Sequence, residues 1–285
     1  MADHPYDVLM AYSGGKDSSY TLLVLKREYK LKVLALTFNN GFLSPAAMRN
    51  MQTITEALGI DHLMVSPSKE ELFRAFRKSA RSLVYPMRAL ERASAICNTC
   101  MNLVKSYLLK TAIEMSIPII AYGWSPGQAP IHASVIRWNS SMIRQMQSAV
   151  VSAFSTMGGE DLIAYLPGER HFRILDEANG PGGMGLHNVH PLAFLEYSEE
   201  RILEEIRNLR WEPPQDTDSN STNCLLNSLG IKVHLEQFGF HPYALEIAGL
   251  VREGHMSREA GLQKLSLSPD ERVIREVKER LGIRE

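Results

Sequence analysis

Short apolar runs alternate with segments of helical periodicity through the first half of this chain. The runs lie at Asp7–Tyr12, Lys32–Phe38, Asp61–Ser66 and Pro118–Trp124, and each is interpreted as a buried strand. Strands that alternate with helices predict an α/β fold, in which a doubly wound, mostly parallel sheet is covered on both faces. The length of 285 residues allows one large domain, or one domain with an appendage.

Helical patterns fill the intervals between the apolar runs and continue beyond them. They cover Ser18–Tyr29, Ser44–Gly59, Ser68–Ala80, Cys97–Met115, Asn139–Phe154 and Ser198–Leu209. The segment Glu177–Leu192 is rich in glycine and is predicted to be an irregular loop. We place a boundary near residue 195, so that residues 1–195 form the α/β domain. Residues 196–285 then form a C-terminal region that ends in a small helical module.

The segment "SGGKDS" (Ser13–Ser18) lies where the first strand passes into the first helix. A glycine-rich turn at a helix N-terminus exposes backbone N–H groups to an anion. Gly14 and Gly15 allow close approach of an oxyanion, and Lys16 adds a positive charge. Asp17 would repel phosphate directly, and its natural use is to hold Mg²⁺ that bridges phosphate oxygens.

This loop fits neither the G-x-x-x-x-G-K-[ST] pattern nor the G-x-G-x-x-G pattern. It resembles the pyrophosphate-binding loop of the PP-loop ATP pyrophosphatases, which have the adenine nucleotide α-hydrolase-like fold. The resemblance implies that ATP is cut between its α and β phosphates and that a substrate oxygen becomes adenylated. Lys16 and Asp17 are the implied catalytic residues of this step. The implied ATP-binding residues are Tyr12, Ser13, Gly14, Gly15, Lys16, Asp17, Ser18, Thr37, Phe38 and Gly123.

Three cysteines are the candidate metal ligands. Cys97 and Cys100 form "CNTC" on a predicted helix, where residues three apart share one face. Cys224 lies in a polar stretch, Asp216–Asn227. Three interpretations stay open: a redox pair, an iron–sulfur cluster held by three thiolates, or a structural zinc site completed by a histidine. The available histidines are His187, His190, His234, His241 and His255.

The cysteine pattern together with the loop resembles the iron–sulfur-dependent tRNA thiolation enzymes, over roughly Tyr6 to Leu226. The resemblance implies that Cys97, Cys100 and Cys224 hold a [4Fe–4S] cluster and that Cys224 is needed for catalysis. It also implies a sulfurtransferase supplied by sulfide or by a sulfur-donor protein. The chain has no further cysteine for the zinc fingers of those enzymes, so a free base, a nucleotide or another small molecule is a candidate acceptor beside tRNA.

Two alternatives belong to other functional classes. The stretches "YDVLMAYSGGKDSSY" and "FGFHPYALEIAGLVREG" are also similar to N-acetyl sugar amidotransferases. There the cysteines would hold zinc, and ammonia would be the nucleophile. The third alternative is a non-catalytic nucleotide-binding protein, which the presence of Lys16 and Asp17 disfavours.

The charge and the cysteine content of the chain restrict its predicted partners and its predicted cellular compartment. The formal net charge of −1 gives no global argument for nucleic-acid binding. A basic segment, residues 74–92, is either a solvated helix face or an anion-binding face. An odd cysteine count without a secretion signal predicts a reducing, cytoplasmic setting, and no apolar run is long enough to span a membrane. A homodimer is a further candidate, since homodimers are common among similar enzymes.

Overall fold

A computed structural model describes residues 5–128, 131–217 and 223–284. Six strands in these ranges form one sheet in the order β3-β2-β1-β4-β6-β5. The strands are β1 (Val8–Ala11), β2 (Val33–Phe38), β3 (Asp61–Val65), β4 (Ile119–Tyr122), β5 (Val135–Trp138) and β6 (Leu186–Val189). All neighbouring strands are parallel except β5, which runs antiparallel to β6. The predicted fold class, a doubly wound and mostly parallel α/β sheet, is confirmed.

Helices connect and flank these strands. Their bounds are α1 (Lys16–Leu23), α2 (Pro45–Leu58), α3 (Lys69–Ser79), α4 (Met87–Leu90), α5 (Ala95–Glu114), α6 (Ser140–Met157), α7 (Glu169–Ala178), α8 (Glu199–Arg207), α9 (Leu226–Phe238), α10 (Ala244–Arg252), α11 (Arg258–Ser266) and α12 (Glu271–Leu281). Helix α2 shows how local sequence sets such bounds. Ser44 caps the first turn through a bond from the Ala47 N–H, Pro45 occupies the first helical position, and Gly59 ends the helix in a left-handed conformation. None of the described helices is both long and apolar enough to cross a membrane.

The two faces of the sheet are buried in separate apolar clusters. Val8 and Met10 of β1 point to one face, where they join residues of α1, α2 and α8. Leu9 points to the other face, where it joins residues of α5 and α7. Because β1 is covered on both faces, its run "VLMA" is almost entirely apolar.

The sheet contains two strands that the sequence patterns did not predict. The prediction of an irregular loop over Glu177–Leu192 is wrong for Leu186–Val189, which form β6. That strand carries His187 and Asn188 and directly follows a glycine-rich stretch, so its composition resembles a loop. β5 is a short edge strand with alternating exposure, and its antiparallel pairing with β6 completes the sheet.

The C-terminal region packs closely on the first part of the chain. Helix α8 contacts α1, and α9 contacts both α5 and α12. Residues 218–222, within the predicted polar stretch Asp216–Asn227, lie outside the described residues. The boundary near residue 195 stays a prediction.

Candidate active site at the carboxyl ends of β1, β2 and β4

The loop Ser13–Ser18 lies at the carboxyl end of β1, next to the point where the strand order reverses between β1 and β4. Ligands of open α/β sheets bind at such switch points. Gly14 has φ +73°, and a Cβ atom there would lie 2.6 Å from the Ala47 carbonyl oxygen. Only glycine adopts this left-handed conformation without strain and also leaves room for the Ala47 carbonyl oxygen. The close approach of the loop to α2 therefore requires glycine at position 14.

Hydrogen bonds hold the loop in one conformation. The Ser13 and Ser18 hydroxyls are 3.1 Å apart, and Ser18 Oγ donates to the Gly15 carbonyl oxygen at 3.0 Å. Trp211 Nε1 donates to the Gly14 carbonyl oxygen at 3.0 Å. The loop is therefore supported both by its own serines and by the C-terminal region.

A charged cluster begins at the first turn of α1. Lys16 Nζ lies 3.0 Å from both carboxylate oxygens of Asp17 and 2.9 Å from the Tyr197 hydroxyl, which itself donates to Asp17 Oδ1 at 3.0 Å. Glu199 Oε1 is 3.8 Å from the same ammonium. Burial disfavours the charged lysine, but Asp17, Tyr197 and Glu199 outweigh that effect and raise the pKa of Lys16. The ammonium is therefore charged at neutral pH.

Tyr197→Phe tests how far the hydroxyl positions this cluster. Removal of one hydrogen-bonding group shared by Lys16 and Asp17 is expected to weaken ATP binding three- to tenfold, corresponding to about 1 kcal/mol. Calorimetric titration with ATP and Mg²⁺ measures the change. Tyr29→Phe is the matched control, because Tyr29 is exposed on the surface. Equal ATP affinity of both variants would contradict a positioning role for Tyr197.

The predicted adenine or ribose contacts surround the same sheet edge. Thr37 and Phe38, at the end of β2, are buried, and the Thr37 hydroxyl donates to the Tyr12 carbonyl oxygen at 2.7 Å. Gly123 follows β4, where a Cβ atom would lie 2.5 Å from Ser18 Cα. These residues bring the ends of β1, β2 and β4 together. Their contact with ATP stays a prediction.

Cys97 and Cys100 lie in the first turns of α5, as the periodicity predicts. Ser94 caps this helix by accepting a hydrogen bond from the Cys97 N–H. Asn40, two residues beyond the end of β2, donates from one amide nitrogen to Cys100 Sγ at 3.5 Å and to Cys224 Sγ at 3.4 Å. Two cysteines separated by more than a hundred residues thus flank one side chain.

A short β-bridge explains the position of Cys224. Cys224 pairs antiparallel with Leu43, which lies just after the turn that carries Asn40. The backbone bonds Ser44 N–H to Asn223 O and Leu225 N–H to Phe42 O, both 2.9 Å long, hold the two segments together. Cys224 is therefore fixed by its backbone, independently of any bound group.

The three cysteines are half-buried as whole residues and are not linked by disulfides. Burial raises the pKa of Cys97 to about 11 and raises the pKa of Cys100 and Cys224 as well. A buried thiol gives up its proton when a metal or another cation compensates the negative charge. The protonated state is therefore favoured without such a partner.

The three cysteines lie near Asn40. Its amide contacts Cys100 and Cys224, and Cys97 lies one helical turn before Cys100. Within the described ranges, no group of three or more His, Cys, Asp or Glu side chains is arranged to hold one metal ion. The zinc site and the iron–sulfur cluster both stay predictions.

His234, one of the histidines considered for zinc, lies in an apolar environment instead. Both ring nitrogens are buried and have no hydrogen-bond partner within the described part of the chain, and the ring packs on Phe238 and Phe240. Burial, followed by the neighbouring His241, lowers the pKa of His234 to about 4. Between pH 6.5 and 4 the unfolded chain therefore binds a proton that the folded chain does not, and stability falls as the pH falls.

His234→Leu is expected to remove this loss. The substitution is expected to raise the free energy of unfolding at both pH values. The increase is expected to be about 1–2 kcal/mol larger at pH 5 than at pH 7. Urea unfolding at the two pH values measures this difference. His132→Leu, at an exposed position, is the control. A pH-independent effect of His234→Leu would mean that the buried ring does not titrate in this range.

The basic segment at residues 74–92 is partly committed to structure. Arg74 bonds to Glu71 and to the Gly158 carbonyl oxygen, and Arg77 bonds to the Leu281 carbonyl oxygen. These two guanidinium groups hold helices together. The segment therefore does not form one continuous anion-binding face.

Sequence reasoning did not identify Asn40, Tyr197, Glu199 or Trp211. A signal for Asn40 existed, since "NN" follows a fully buried strand at its carboxyl end. Tyr197, Glu199 and Trp211 reach the loop from about 180 residues away in sequence, as the bond from Tyr197 to Asp17 shows. Nothing in their local sequence distinguishes them from ordinary surface or core residues.

No protein-family model matches the chain. An uncharacterised protein of Methanocaldococcus jannaschii is 22% identical over 279 residues, which cover 98% of this chain and 79% of that protein. Argininosuccinate synthase of Dictyoglomus turgidum is 30% identical over 122 residues, which cover 41% of this chain and 28% of the synthase.

Among solved structures, a U34-tRNA thiolase of Methanococcus maripaludis with its [4Fe–4S] cluster aligns with 99% of this chain and 75% of its own chain. The TM-score is 0.43 and the sequence identity is 15%, a level that describes a similarity and carries no activity with it. The loop Ser13–Ser18, its place after the first strand and the strand order around it make this chain similar to the PP-loop ATP pyrophosphatases.

Proposed function

We propose that this protein is an ATP-dependent sulfurtransferase. It adenylates a carbonyl or hydroxyl oxygen of a base, nucleotide or small molecule and replaces that oxygen by sulfur. One observation carries the proposal: the Asn40 amide, at the carboxyl end of β2, contacts two of the three cysteines, and the loop Ser13–Ser18 follows the neighbouring strand β1. Groups suited to ATP cleavage and to sulfur chemistry thus share one edge of the sheet.

The loop serves the ATP half of the reaction. The acceptor oxygen attacks the α phosphorus, the bond to the β-phosphate oxygen breaks, and pyrophosphate leaves. Backbone N–H groups of Ser13–Ser18 and the ammonium of Lys16 stabilise the charge that develops on pyrophosphate. Asp17 would hold Mg²⁺, which would neutralise phosphate charge, and Tyr197 keeps Lys16 and Asp17 in position.

The cysteines serve the sulfur half. Cys97, Cys100 and Cys224 would hold a [4Fe–4S] cluster, which would supply a binding place for sulfur. Sulfide or a sulfur-donor protein provides the sulfur atom. A carbon–sulfur bond forms at the activated carbon, the carbon–oxygen bond to AMP breaks, and no electrons are exchanged with an external oxidant. The Asn40 amide donates to the sulfurs and orients Cys100 and Cys224.

The decisive experiment is purification without oxygen, followed by assays of iron, acid-labile sulfide and zinc on one sample. About four irons and four sulfides per chain are expected for a [4Fe–4S] protein, together with AMP and pyrophosphate formation in the presence of an acceptor. About one zinc per chain would overturn the proposal in favour of an amidotransferase with an ammonia-supplying partner. Nucleotide binding without any metal or any AMP formation would favour a non-catalytic protein.

A further inference from the structure

A cavity of about 200 Å³ lies beside the candidate active site. It is bounded by α5, by the ends of β4 and β6 and by β5. Its polar and aromatic lining includes Arg92, Lys105, Trp124, Trp138, Asn188 and His190. The mechanism proposed above uses none of these residues.

The cavity is continuous in sequence and space with the ATP loop. Trp124 directly follows Gly123, whose Cα has no room for a side chain because Ser18 of the loop helix packs against it. Gln128 also lines the cavity, and its amide bonds to Glu246 and to the Ser125 N–H. A molecule in this cavity would therefore lie on the α5 side of the same switch point.

The cavity carries positive charge without a compensating acid. Lys105 Nζ lies 4.7 Å above the Trp124 ring, and Arg92 lies nearby on the rim. Among the described residues that line the cavity there is no Asp or Glu. Burial, and then Arg92, lowers the pKa of Lys105 to about 8, so the ammonium is still charged at pH 7. A buried cation in such surroundings is costly unless an anion joins it.

Buried polar groups without partners line the same space. His190 is 3% exposed, and its Nε2 accepts a hydrogen bond from Asn188 Nδ2 at 3.1 Å. The neutral ring then carries its proton on Nδ1, and among the residues that the structure describes neither this nitrogen nor Asn188 Oδ1 nor Trp138 Nε1 has a hydrogen-bond partner. Most buried polar groups in proteins are satisfied. Three orphan groups around one cavity indicate a ligand that satisfies them.

We infer that this cavity binds the acceptor substrate, and that the acceptor is a small carboxylate whose anionic group pairs with Lys105. Trp138 Nε1–H and His190 Nδ1–H are further donors, and Asn188 Oδ1 receives a hydrogen bond from a donor on the ligand. The assignment as acceptor site rests on the proposed function. The assignment as a carboxylate site rests on the cavity alone.

The size of the cavity selects the substrate class. Binding sites for drug-sized ligands usually have volumes of about 300–1,000 Å³, so a cavity of about 200 Å³ suits a smaller molecule. A free metabolite fits this space better than a nucleotide within a folded RNA. Among the acceptors left open by the sequence, the cavity favours the small molecule.

Benzoate and its uncharged counterpart benzamide are suitable probes. Trp124 and Trp138 are two of the three tryptophans in the chain, so binding in the cavity is expected to change the intrinsic fluorescence. At pH 7 benzoate is expected to bind at least about tenfold more tightly than benzamide, because charge-assisted hydrogen bonds are the strong ones. Lys105→Met is expected to abolish this preference and leave benzamide binding within about twofold.

Lys110→Met is the matched control, since Lys110 lies on the same helix and bonds to the Ala164 carbonyl oxygen outside the cavity. It is expected to keep the preference for benzoate. Equal binding of benzoate and benzamide, absence of a fluorescence change with benzoate, or an unchanged preference in Lys105→Met would each overturn the inference. A decline of benzoate affinity in both lysine variants would indicate a general charge effect and overturn it too.

The titration requires neither ATP nor a metal. If the protein binds benzoate but contains about one zinc per chain, sulfur transfer is refuted and the carboxylate site is supported. An iron–sulfur protein that forms AMP but ignores benzoate would refute the carboxylate site while the proposed function stands. The two failures are thus distinguishable.

Discussion

Cys224→Ala is expected to abolish product formation while ATP binding stays within about twofold of the original affinity. The substitution removes a thiol that flanks Asn40 together with Cys100. The β-bridge to Leu43 uses the backbone of residue 224 and is compatible with alanine. The iron content of protein purified without oxygen, ATP titration and product analysis on the same preparation measure the three effects.

A matched control distinguishes the effect of losing a metal-ligating side chain from the effect of losing any buried polar atom. Ser106 lies on α5, is fully buried, and its hydroxyl has no partner. Ser106→Ala is expected to keep iron and activity, because an unsatisfied hydroxyl contributes little to stability. Full activity and iron content in Cys224→Ala would remove the cluster hypothesis. Loss of ATP binding in that variant would mean that Cys224 acts on the fold instead.

Gly14→Ala is expected to destabilise the protein by about 3 kcal/mol and to weaken ATP binding more than tenfold. Left-handed backbone costs a residue with a Cβ atom about 1–2 kcal/mol, and overpacking adds about 1–3 kcal/mol. Both apply here, because Gly14 has φ +73° and its Cβ would lie 2.6 Å from the Ala47 carbonyl oxygen and 2.9 Å from Met51 Cγ. Urea unfolding and calorimetric titration with ATP measure the two effects.

Gly59→Ala separates the two contributions. Gly59 has φ +58°, but a Cβ atom there meets nothing within 4 Å. This control is expected to cost about 1 kcal/mol, from the backbone alone, and to leave ATP binding unchanged. If Gly14→Ala costs no more than Gly59→Ala, the close approach of the loop to α2 is not a constraint.

The regular elements near the loop follow local rules, which is why the sequence predicts them. The apolar run that becomes β2 is buried along its whole length, and Ser44, Pro45 and Gly59 mark α2 through capping chemistry. β6 violates those rules. Its residues His187 and Asn188 are polar, and the strand exists because β4 and β5 pair with it on both sides. Pairing between distant segments leaves no local signal.

The candidate site divides in the same way. The sequence alone determined the loop Ser13–Ser18 and the helical face shared by Cys97 and Cys100, because these features depend on residues a few positions apart. Only the tertiary structure decided that Cys224 meets Cys100 at Asn40, and that Tyr197 joins Lys16 to Asp17. The bonds from Asn40 to Cys224 and from Tyr197 to Asp17 join residues 184 and 180 positions apart along the chain. They arise from the order of strands in the sheet and from packing of the C-terminal helices, which no spacing within a short stretch can encode.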